Sequence, residues 1–327
     1  ELRRSLERFH GAPNSAAVAT AWPYLKHPDR HIRYAARVAV ENQPVAEWQD
    51  KALNEKDPIA LTNAMIALAR EGKPDQKSAI FKALMSINYK ALSESQQIDI
   101  LRAFELVLLR MGVPDAAQSA QVSAYLNPFY PAANADINRG LSKVLVTLEA
   151  PGVVAKTLAL LEAKEVPANT TAGGATATAS AELIMRNPQY GLDIADMLKH
   201  MPPAQQTFYA TMLSVAKSGW TPELHEKYFK WFNKAFSYKG GRSYIGFIER
   251  ARKMALKNVP ENKVAYYDKL SGGELLSKNG NDLVKLVYPK GPGKNWKLDN
   301  ALPLVEAGLS GRNFEQGKNM YNAITCN

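Results

Sequence analysis

The feature that most constrains the fold is a nearly unbroken succession of amphipathic segments from residue 14 to about residue 270. Apolar residues recur there at three- and four-residue spacing, as in Ile32, Ala35, Ala36 and Ala39, and almost no stretch alternates between apolar and polar residues. Short breaks at Pro, Gly and Asn separate the segments. This pattern predicts an all-α protein.

The predicted helices come in pairs that recur at roughly 35–45 residues, which is typical of an α-solenoid whose units bury their apolar faces only against their neighbours. We therefore predict an α-solenoid over residues 1–270. The predicted helices run from Ala16 to Leu25, Arg30 to Glu41, Val45 to Asn54, Asp57 to Glu71, Asp75 to Ser86, Ser93 to Met111, Asp115 to Leu126, Asp136 to Leu148, Val153 to Ala163, Ala175 to Arg186, Tyr190 to Met201, Pro203 to Lys217, Pro222 to Ser237, Gly241 to Asn258 and Pro260 to Leu270.

One helix pair carries a recognisable motif. Asp29 is expected to cap the helix that begins at Arg30, because its carboxylate can accept hydrogen bonds from free backbone N–H groups. Together with Ile32, Arg33 and Ala36 it gives the pattern Asp-x-x-apolar-Arg-x-x-Ala. The pair resembles a HEAT repeat, and the whole helical region resembles degenerate HEAT or armadillo-like helix pairs.

Positive charge is concentrated in one part of the chain. The net charge is +10, and residues 221–300 hold sixteen Lys and Arg against eight Asp and Glu. Such a surface can attract an acidic protein, an anionic membrane or nucleic acid, or it can be an ordinary solvated face. The predicted partner-binding residues are Lys227, Lys230, Lys234, Lys239 and Arg242.

Aromatic residues are interleaved with these cations, from Trp220 to Phe247. Bases stack on aromatic rings while cations hold phosphates, so a nucleic-acid surface is one interpretation. Helical spacing favours the other interpretation, in which the rings pack into the core. The residues that this spacing assigns to the core are Leu224, Tyr228, Trp231, Phe232 and Phe236.

No catalytic or metal-binding motif stands out. His27 and His31 are four residues apart, but Pro28 and Asp29 between them mark a turn and a cap rather than one helix face. An acid–base pair can be imagined among Glu41, Glu47, Glu55 and Asp57, as in helical glycosidases, although their spacing does not favour it. We predict no catalytic residue and no metal site, so this segment is not expected to be an enzyme.

The single cysteine, Cys326, excludes an internal disulfide framework and lies in a distinctive context. Covalent haem attachment uses the signature Cys-x-x-Cys-His, and Cys326 with Asn327 matches its first two positions. The preceding segments are Gly291–Trp296, a short predicted helix from Leu302 to Leu309, and Gly311–Thr325.

This C-terminal run resembles the entry into the c-type cytochrome domain of large propeller–HEAT–cytochrome proteins, which are sorbosone dehydrogenase-like proteins of Planctomycetes, Verrucomicrobia and Bacteroidetes. The resemblance implies that Cys326 is the first thioether cysteine and that Gly311–Thr325 forms the first cytochrome helix with its lead-in. Phe314 and Tyr321 would then pack against the haem edge or a neighbouring helix. The expected organisation is a solenoid over 1–270, a linker with a short helix over 271–310, and a truncated cytochrome start over 311–327.

The resemblance also implies a function for the segment. It would be a scaffold that positions a C-terminal cytochrome c domain for electron transfer within a periplasmic or cell-surface protein. Haem c would belong to the parent protein, with none bound by this segment alone, and a dehydrogenase activity would reside in another domain. Its partners would be domains of the same polypeptide or redox proteins.

Three alternatives remain open. The chain can be a stand-alone HEAT-type protein-binding module. It can also be a nucleic-acid-binding helical repeat protein, although the helical spacing of the aromatic residues favours this less. A helical glycosidase is the least favoured alternative. Residues 1–9 lack an initiator Met and the pattern of a signal peptide, so we expect them to lie within a longer chain. No apolar stretch approaches the 18 residues expected of a membrane span.

Overall fold

The computed structural model describes residues 1–163, 202–238, 241–273, 295–306, 311 and 313–323. Every regular element in these ranges is a helix, so the described part of the chain is all-α, as predicted. The predicted helices from Ala175 to Arg186 and from Tyr190 to Met201 lie outside the described residues.

Sixteen α-helices are described. They are α1 (Leu2–Glu7), α2 (Ala17–Ala21), α3 (Arg30–Glu41), α4 (Gln49–Leu53), α5 (Pro58–Glu71), α6 (Lys77–Met85), α7 (Glu94–Met111), α8 (Ala116–Leu126), α9 (Ala135–Thr147), α10 (Val153–Glu162), α11 (Ala204–Leu213), α12 (Pro222–Ala235), α13 (Gly241–Leu256), α14 (Glu261–Leu270), α15 (Leu298–Glu306) and α16 (Phe314–Ala323). Short 3-10 helices lie at Trp22–Lys26, Val45–Glu47, Pro74–Gln76, Tyr89–Ala91 and Asn127–Phe129.

Capping side chains fix several helix starts where the sequence predicts them. Asp29 accepts a hydrogen bond from His31 N, and α3 begins directly after it. Asp57 accepts from the first N–H groups of α5, with Pro58 at the first helical position. Ser93 forms a reciprocal capping box with Gln96 at the start of α7.

Two of the boundaries that differ from the prediction have clear local causes. The helix expected from Ala16 to Leu25 ends as an α-helix at Ala21, and Pro23 lies in the 3-10 helix that follows. Helix α9 begins at Ala135 rather than Asp136, because the Asn134 side chain accepts from two backbone N–H groups of its first turn.

Residues Glu1–Ser271 and Gly272–Asn327 form two separate compact units. Within the first unit, each helix of the series α1, α3, α5, α7, α9, α11 and α13 contacts the next member of that series. We call this set the first series. A second series consists of Trp22–Lys26, α4, α6, α8, α10, α12 and α14, in which α4 contacts α6, α6 contacts α8, α10 contacts α12 and α12 contacts α14.

Helix α5 lies at the centre of the N-terminal part of this unit. It contacts α3 and α7 in its own series, and α4, α6 and Trp22–Lys26 in the other. Its residues from Ala60 to Ala69 are therefore buried on almost every side, with only Asn63 partly exposed. A helix that is apolar all round belongs in a core, so its sequence agrees with this position.

The second unit contains α15 and α16 among its described residues. Helix α15 begins at Leu298, earlier than the predicted start at Leu302, and Pro303 lies inside it. Helix α16, from Phe314 to Ala323, falls within the segment Gly311–Thr325 for which a helix is predicted. Among the described helices of either unit, none is both long and apolar enough to cross a lipid bilayer.

Candidate interaction surface

Charged side chains connect neighbouring helices of the first series. Arg33 on α3 donates to the carbonyl oxygens of His27 and Pro28 at 2.8 and 2.9 Å, which ties the start of α3 to the preceding turn. Its other terminal nitrogen lies 3.8 Å from a carboxylate oxygen of Asp99 on α7. Because α5 lies between α3 and α7 in the series, this ion pair connects two helices that are not adjacent members of the series.

A second group forms around Glu41 at the end of α3. Glu41 Oε2 accepts from Arg70 Nε of α5 at 3.0 Å, and Glu41 Oε1 lies 3.2 Å from Arg37 Nε in an ion pair without hydrogen-bond alignment. Burial raises the pKa of the Glu41 carboxyl, although the two guanidinium groups oppose that shift. Burial also lowers the pKa of Arg37, while Glu41 raises it.

The connections continue along α7 and α9. Arg110 of α7 donates to the carbonyl oxygen of Arg70 at 2.8 Å. Glu105 Oε2 lies 2.9 Å from Arg102 on the same helix, while Glu105 Oε1 lies 3.1 Å from Lys143 Nζ on α9. Polar contacts therefore join α3, α5, α7 and α9 without a break.

Arg139 extends this set to α11. Its Nε donates to Gln205 Oε1 at 3.1 Å, and its guanidinium lies 5.4 Å from the ring centroid of Phe208. We call the complete set the arginine ladder. It comprises seven cations, which are Arg33, Arg37, Arg70, Arg102, Arg110, Arg139 and Lys143, and three carboxylates, which are Glu41, Asp99 and Glu105. The ladder therefore holds an excess of four positive charges.

Arginine and lysine occupy different helices in residues 1–163. Of the ten arginines there, Arg8 directly follows α1 and the other nine lie in helices of the first series. Of the nine lysines in the same residues, only Lys143 lies in that series. A guanidinium is planar and binds carboxylates in a bidentate geometry, whereas an ammonium is a hydrated point charge. The helices of the first series therefore carry the cation that is better suited to oriented contacts with carboxylates.

Apolar side chains accompany the ladder. Tyr34 on α3 is 59% exposed, and the guanidinium of Arg37 lies 5.3 Å from its ring centroid. Leu109 is 75% exposed and follows Glu105 by four residues and Arg102 by seven, which places it on the same side of α7. Arginine and tyrosine are enriched at the energetically important positions of protein interfaces.

The arrangement combines fixed cations with exposed apolar contacts. Each ladder cation is oriented by a contact within the protein, so it would lose little conformational freedom when an anion approaches. Partly exposed members such as Arg70 and Arg102 retain N–H groups for an external acceptor. Such a surface can bind an acidic polypeptide that also carries apolar side chains.

The predicted partner-binding cations of α12 lie elsewhere. Lys227 Nζ is 3.3 Å from Glu162 of α10, and Lys230 Nζ is 3.2 Å from Glu226 within α12. Lys234 is exposed near the end of α12. Lys239 lies outside the described residues, and Arg242 is placed in the first turn of α13 without a described side chain. Their role as partner-binding residues stays a prediction.

The aromatic residues of α12 are core residues, as their helical spacing predicts. Tyr228, Trp231 and Phe232 are buried. Phe229, which the predicted core positions leave out, is buried as well, because its ring stacks on Tyr267 of α14 at a centroid distance of 4.9 Å. Helix α12 contacts α10, α13 and α14, so more than one of its faces is covered.

Cys326, the predicted haem-attachment residue, lies outside the described residues. Phe314, which the resemblance assigns to packing against haem or a neighbouring helix, is 91% exposed at the start of α16. Tyr321 lies in α16, with no side chain described. The haem prediction therefore rests on the sequence resemblance.

His27 and Glu55, which the sequence offers for metal binding and for acid–base chemistry, form local structural contacts. His27 Nδ1 accepts from Asp29 N at 3.1 Å. Glu55 accepts from Trp22 Nε1 at 2.7 Å and from the N–H groups of residues 56 and 57. Within the ranges that the structure describes, no three His, Cys, Asp or Glu side chains are grouped as metal ligands would be.

The ladder was not anticipated from the sequence. Its contacts join residues that are far apart in the chain, such as Arg33 and Asp99. The separation of arginine from lysine was a usable signal, because the predicted helices Arg30–Glu41, Asp57–Glu71 and Ser93–Met111 contain arginine and no lysine. We compared the chain with models of protein families, with curated proteins and with solved structures, and none of them matches it.

Proposed function

We propose that residues 1–271 form an α-solenoid scaffold that binds an acidic protein partner along the arginine ladder. The contact pattern of the two series supports the solenoid part of this proposal, since most helices contact the next member of their own series. The roles of Asp29 as a helix cap and of Arg33 as a donor to the preceding turn are consistent with the HEAT-like motif.

The observation that carries the binding function is the charge excess of the ladder. The ladder holds seven cations and only three carboxylates. Glu41 and Glu105 each contact two cations, and Arg110 and Arg139 contact no ladder carboxylate. Exposed ion pairs contribute only about 0–1 kcal/mol each, so stability alone is a weak reason to keep so many oriented arginines. An external acidic segment would supply the missing anions.

A protein partner fits better than nucleic acid. Glu41, Asp99 and Glu105 lie among the ladder cations and would repel a continuous row of phosphates. The aromatic rings that could stack on bases are largely buried, as in Tyr228 and Phe232. An acidic polypeptide can place its carboxylates at the cations and apolar side chains near Tyr34 and Leu109.

Binding of a fluorescent acidic peptide tests this proposal. The probe would be a peptide of about 20 residues, rich in Glu and Leu, and the readout would be its anisotropy at low and at physiological ionic strength. We expect Arg70→Glu with Arg102→Glu to weaken binding by about tenfold or more, because two attractive contacts become repulsive. The matched control is Lys82→Glu with Lys90→Glu, which changes the net charge equally at exposed positions outside the ladder.

Equal losses in the two double variants would contradict the proposal, since net charge alone would then explain binding. A loss confined to Lys227→Glu with Lys234→Glu would move the partner site to α12. Tighter binding of a DNA duplex of similar length than of the peptide would favour the nucleic-acid alternative. Thermal unfolding of each variant separates a binding defect from a folding defect.

We also propose that the scaffold positions a haem domain in its parent protein, which would lie in the periplasm or at the cell surface. This proposal is favoured by the position of α16 inside the predicted first cytochrome helix and by the division of the chain at Ser271. Cys326 would be the first attachment cysteine. The test is an absorption spectrum of the full-length gene product, in which absence of a c-type haem band would remove this proposal.

A further inference from the structure

A cavity of about 440 Å³ is lined by residues from the N-terminal parts of α12 and α14 and by no residue of the arginine ladder. Its lining includes Trp220, His225, Glu226, Lys263, Tyr266 and Tyr267. The volume falls within the usual range of small-molecule sites, which is roughly 300–1,000 Å³. Neither the scaffold function nor the haem function uses this cavity.

The aromatic wall is held in place by mutual packing. Trp220 and His225 stack at a centroid distance of 4.6 Å with 9° between their planes, and Trp220 Nε1 donates to the carbonyl oxygen of Ala216 at 3.0 Å. His225 lies 5.3 Å from Tyr267, which lies 5.1 Å from Tyr266. Tyr266, which is 49% exposed, offers the free ring surface at the cavity.

Glu226 supplies an oriented hydrogen-bond acceptor. Its Oε1 accepts from the Tyr266 hydroxyl at 2.9 Å, and its Oε2 accepts from Lys230 Nζ at 3.2 Å. The hydrogen bond from Tyr266, followed by the contact with Lys230, lowers the pKa of this carboxyl, so it stays ionised at neutral pH. A carboxylate has about four lone-pair sites, which leaves acceptor capacity for a ligand.

Lys263 supplies the donor. Its ammonium carries three N–H groups, and it forms no ion pair with any side chain in the described ranges. Burial lowers the pKa of His225, which keeps its ring uncharged at neutral pH. The lining therefore carries one negative and one positive charge and no net charge, which favours neither an anion nor a cation.

We propose that this cavity binds a neutral saccharide. A sugar ring has an apolar C–H face that can pack on the exposed ring of Tyr266. Its hydroxyl groups both donate and accept hydrogen bonds, so one saccharide can satisfy Glu226 and Lys263 together. The half-open cavity between two helices suits a ring that keeps some hydroxyl groups in water.

Titration of the whole chain with cellobiose, maltose and chitobiose tests this assignment, with saturation-transfer NMR and calorimetry as readouts. We expect at least one of the three to bind with a dissociation constant in the millimolar range or below. Tyr266→Ala should weaken that binding by about tenfold, and Lys263→Ala should weaken it as well. Phe247→Ala is the matched control, because Phe247 is similarly exposed, at 46%, but lies on α13 outside the cavity lining.

Absence of binding by all three saccharides up to about 10 mM would overturn the proposal. Binding that survives unchanged in both Tyr266→Ala and Lys263→Ala would also overturn it, because the sugar would then bind elsewhere. A zwitterionic amino acid such as phenylalanine could also pair its charges with Glu226 and Lys263. If phenylalanine bound in preference to all three sugars, the ligand class would be wrong.

Discussion

Glu41 and Glu55 are two carboxylates of the same unit whose surroundings shift their pKa values in opposite directions. Burial raises the pKa of Glu41 above its ordinary value of 4.5, more than Arg37 and Arg70 lower it. Burial acts on Glu55 in the same sense, but hydrogen bonds from the backbone N–H of Asp57, from the Trp22 indole and from a second backbone N–H together lower its pKa. Glu41 is the more deeply buried of the two, so burial dominates its pKa, whereas at the less buried Glu55 the hydrogen bonds dominate.

We expect the two carboxylates to contribute to stability with opposite dependence on pH. A raised folded-state pKa means that the folded state holds the proton more tightly, so the stability from Glu41 is fully present below its unfolded pKa. That stability is lost as the pH rises through the folded value. The lowered pKa of Glu55 means that its contribution is present above the unfolded pKa and is lost as the pH falls through the folded value.

Urea unfolding from about pH 3 to about pH 7 measures both effects when the chain is compared with Glu41→Gln and Glu55→Gln. The free energy of unfolding relative to Glu41→Gln should decrease with rising pH. The same quantity relative to Glu55→Gln should increase. Two decreasing slopes would contradict the expectation for Glu55 and show that burial dominates at both sites, whereas two increasing slopes would contradict the expectation for Glu41.

At the scale of elements, the approach of α7 and α9 depends on a glycine. A Cβ atom built on Gly140 of α9 would lie 2.9 Å from Leu101 Cδ1 and 3.0 Å from Leu101 Cβ of α7. Gly246 of α13 differs, since a Cβ atom there would meet no atom within 4 Å. The first glycine permits a close helix contact, whereas the second costs helix stability without a packing reason.

We therefore expect opposite effects from substitutions at these two positions. Gly140→Val should lower the free energy of unfolding by about 1–3 kcal/mol, because the added methyl groups overpack the contact with Leu101. Gly246→Ala should raise it by about 0.5–1 kcal/mol, since alanine has the higher helix propensity. Chemical denaturation of both variants checks this, and a stable Gly140→Val protein would mean that α7 and α9 can separate without cost.

Most element boundaries in residues 1–163 follow from local chemistry and could be predicted. Asp29, Asp57 and Ser93 cap α3, α5 and α7 where the sequence indicates. The errors arose where two local preferences compete. Pro23 lies in the 3-10 helix that replaces the end of the first predicted helix, and the Asn134 cap starts α9 one residue before the predicted Asp136.

At the scale of the whole molecule, the helices that precede and follow residues 164–201 in the chain pack directly on each other. Helices α10 and α11 contact each other directly, and the Gln206 side chain donates to the carbonyl oxygen of Ala163 at 2.9 Å. Helix α11 also contacts α9, and α10 contacts α12, so both series continue past this point. The two ends of the intervening segment are thus held close together by residues outside it.

The sequence by itself determined that the described chain is helical, where most of its helices begin, and that the aromatic residues of α12 are buried. These properties depend on spacing and capping over a few residues. Tertiary structure alone decided that Arg33 meets Asp99, that Glu41 meets Arg70, and that Phe229 stacks on Tyr267. The physical reason is that these contacts join residues of different helices, whose proximity is set by packing and leaves no periodic signal in the chain.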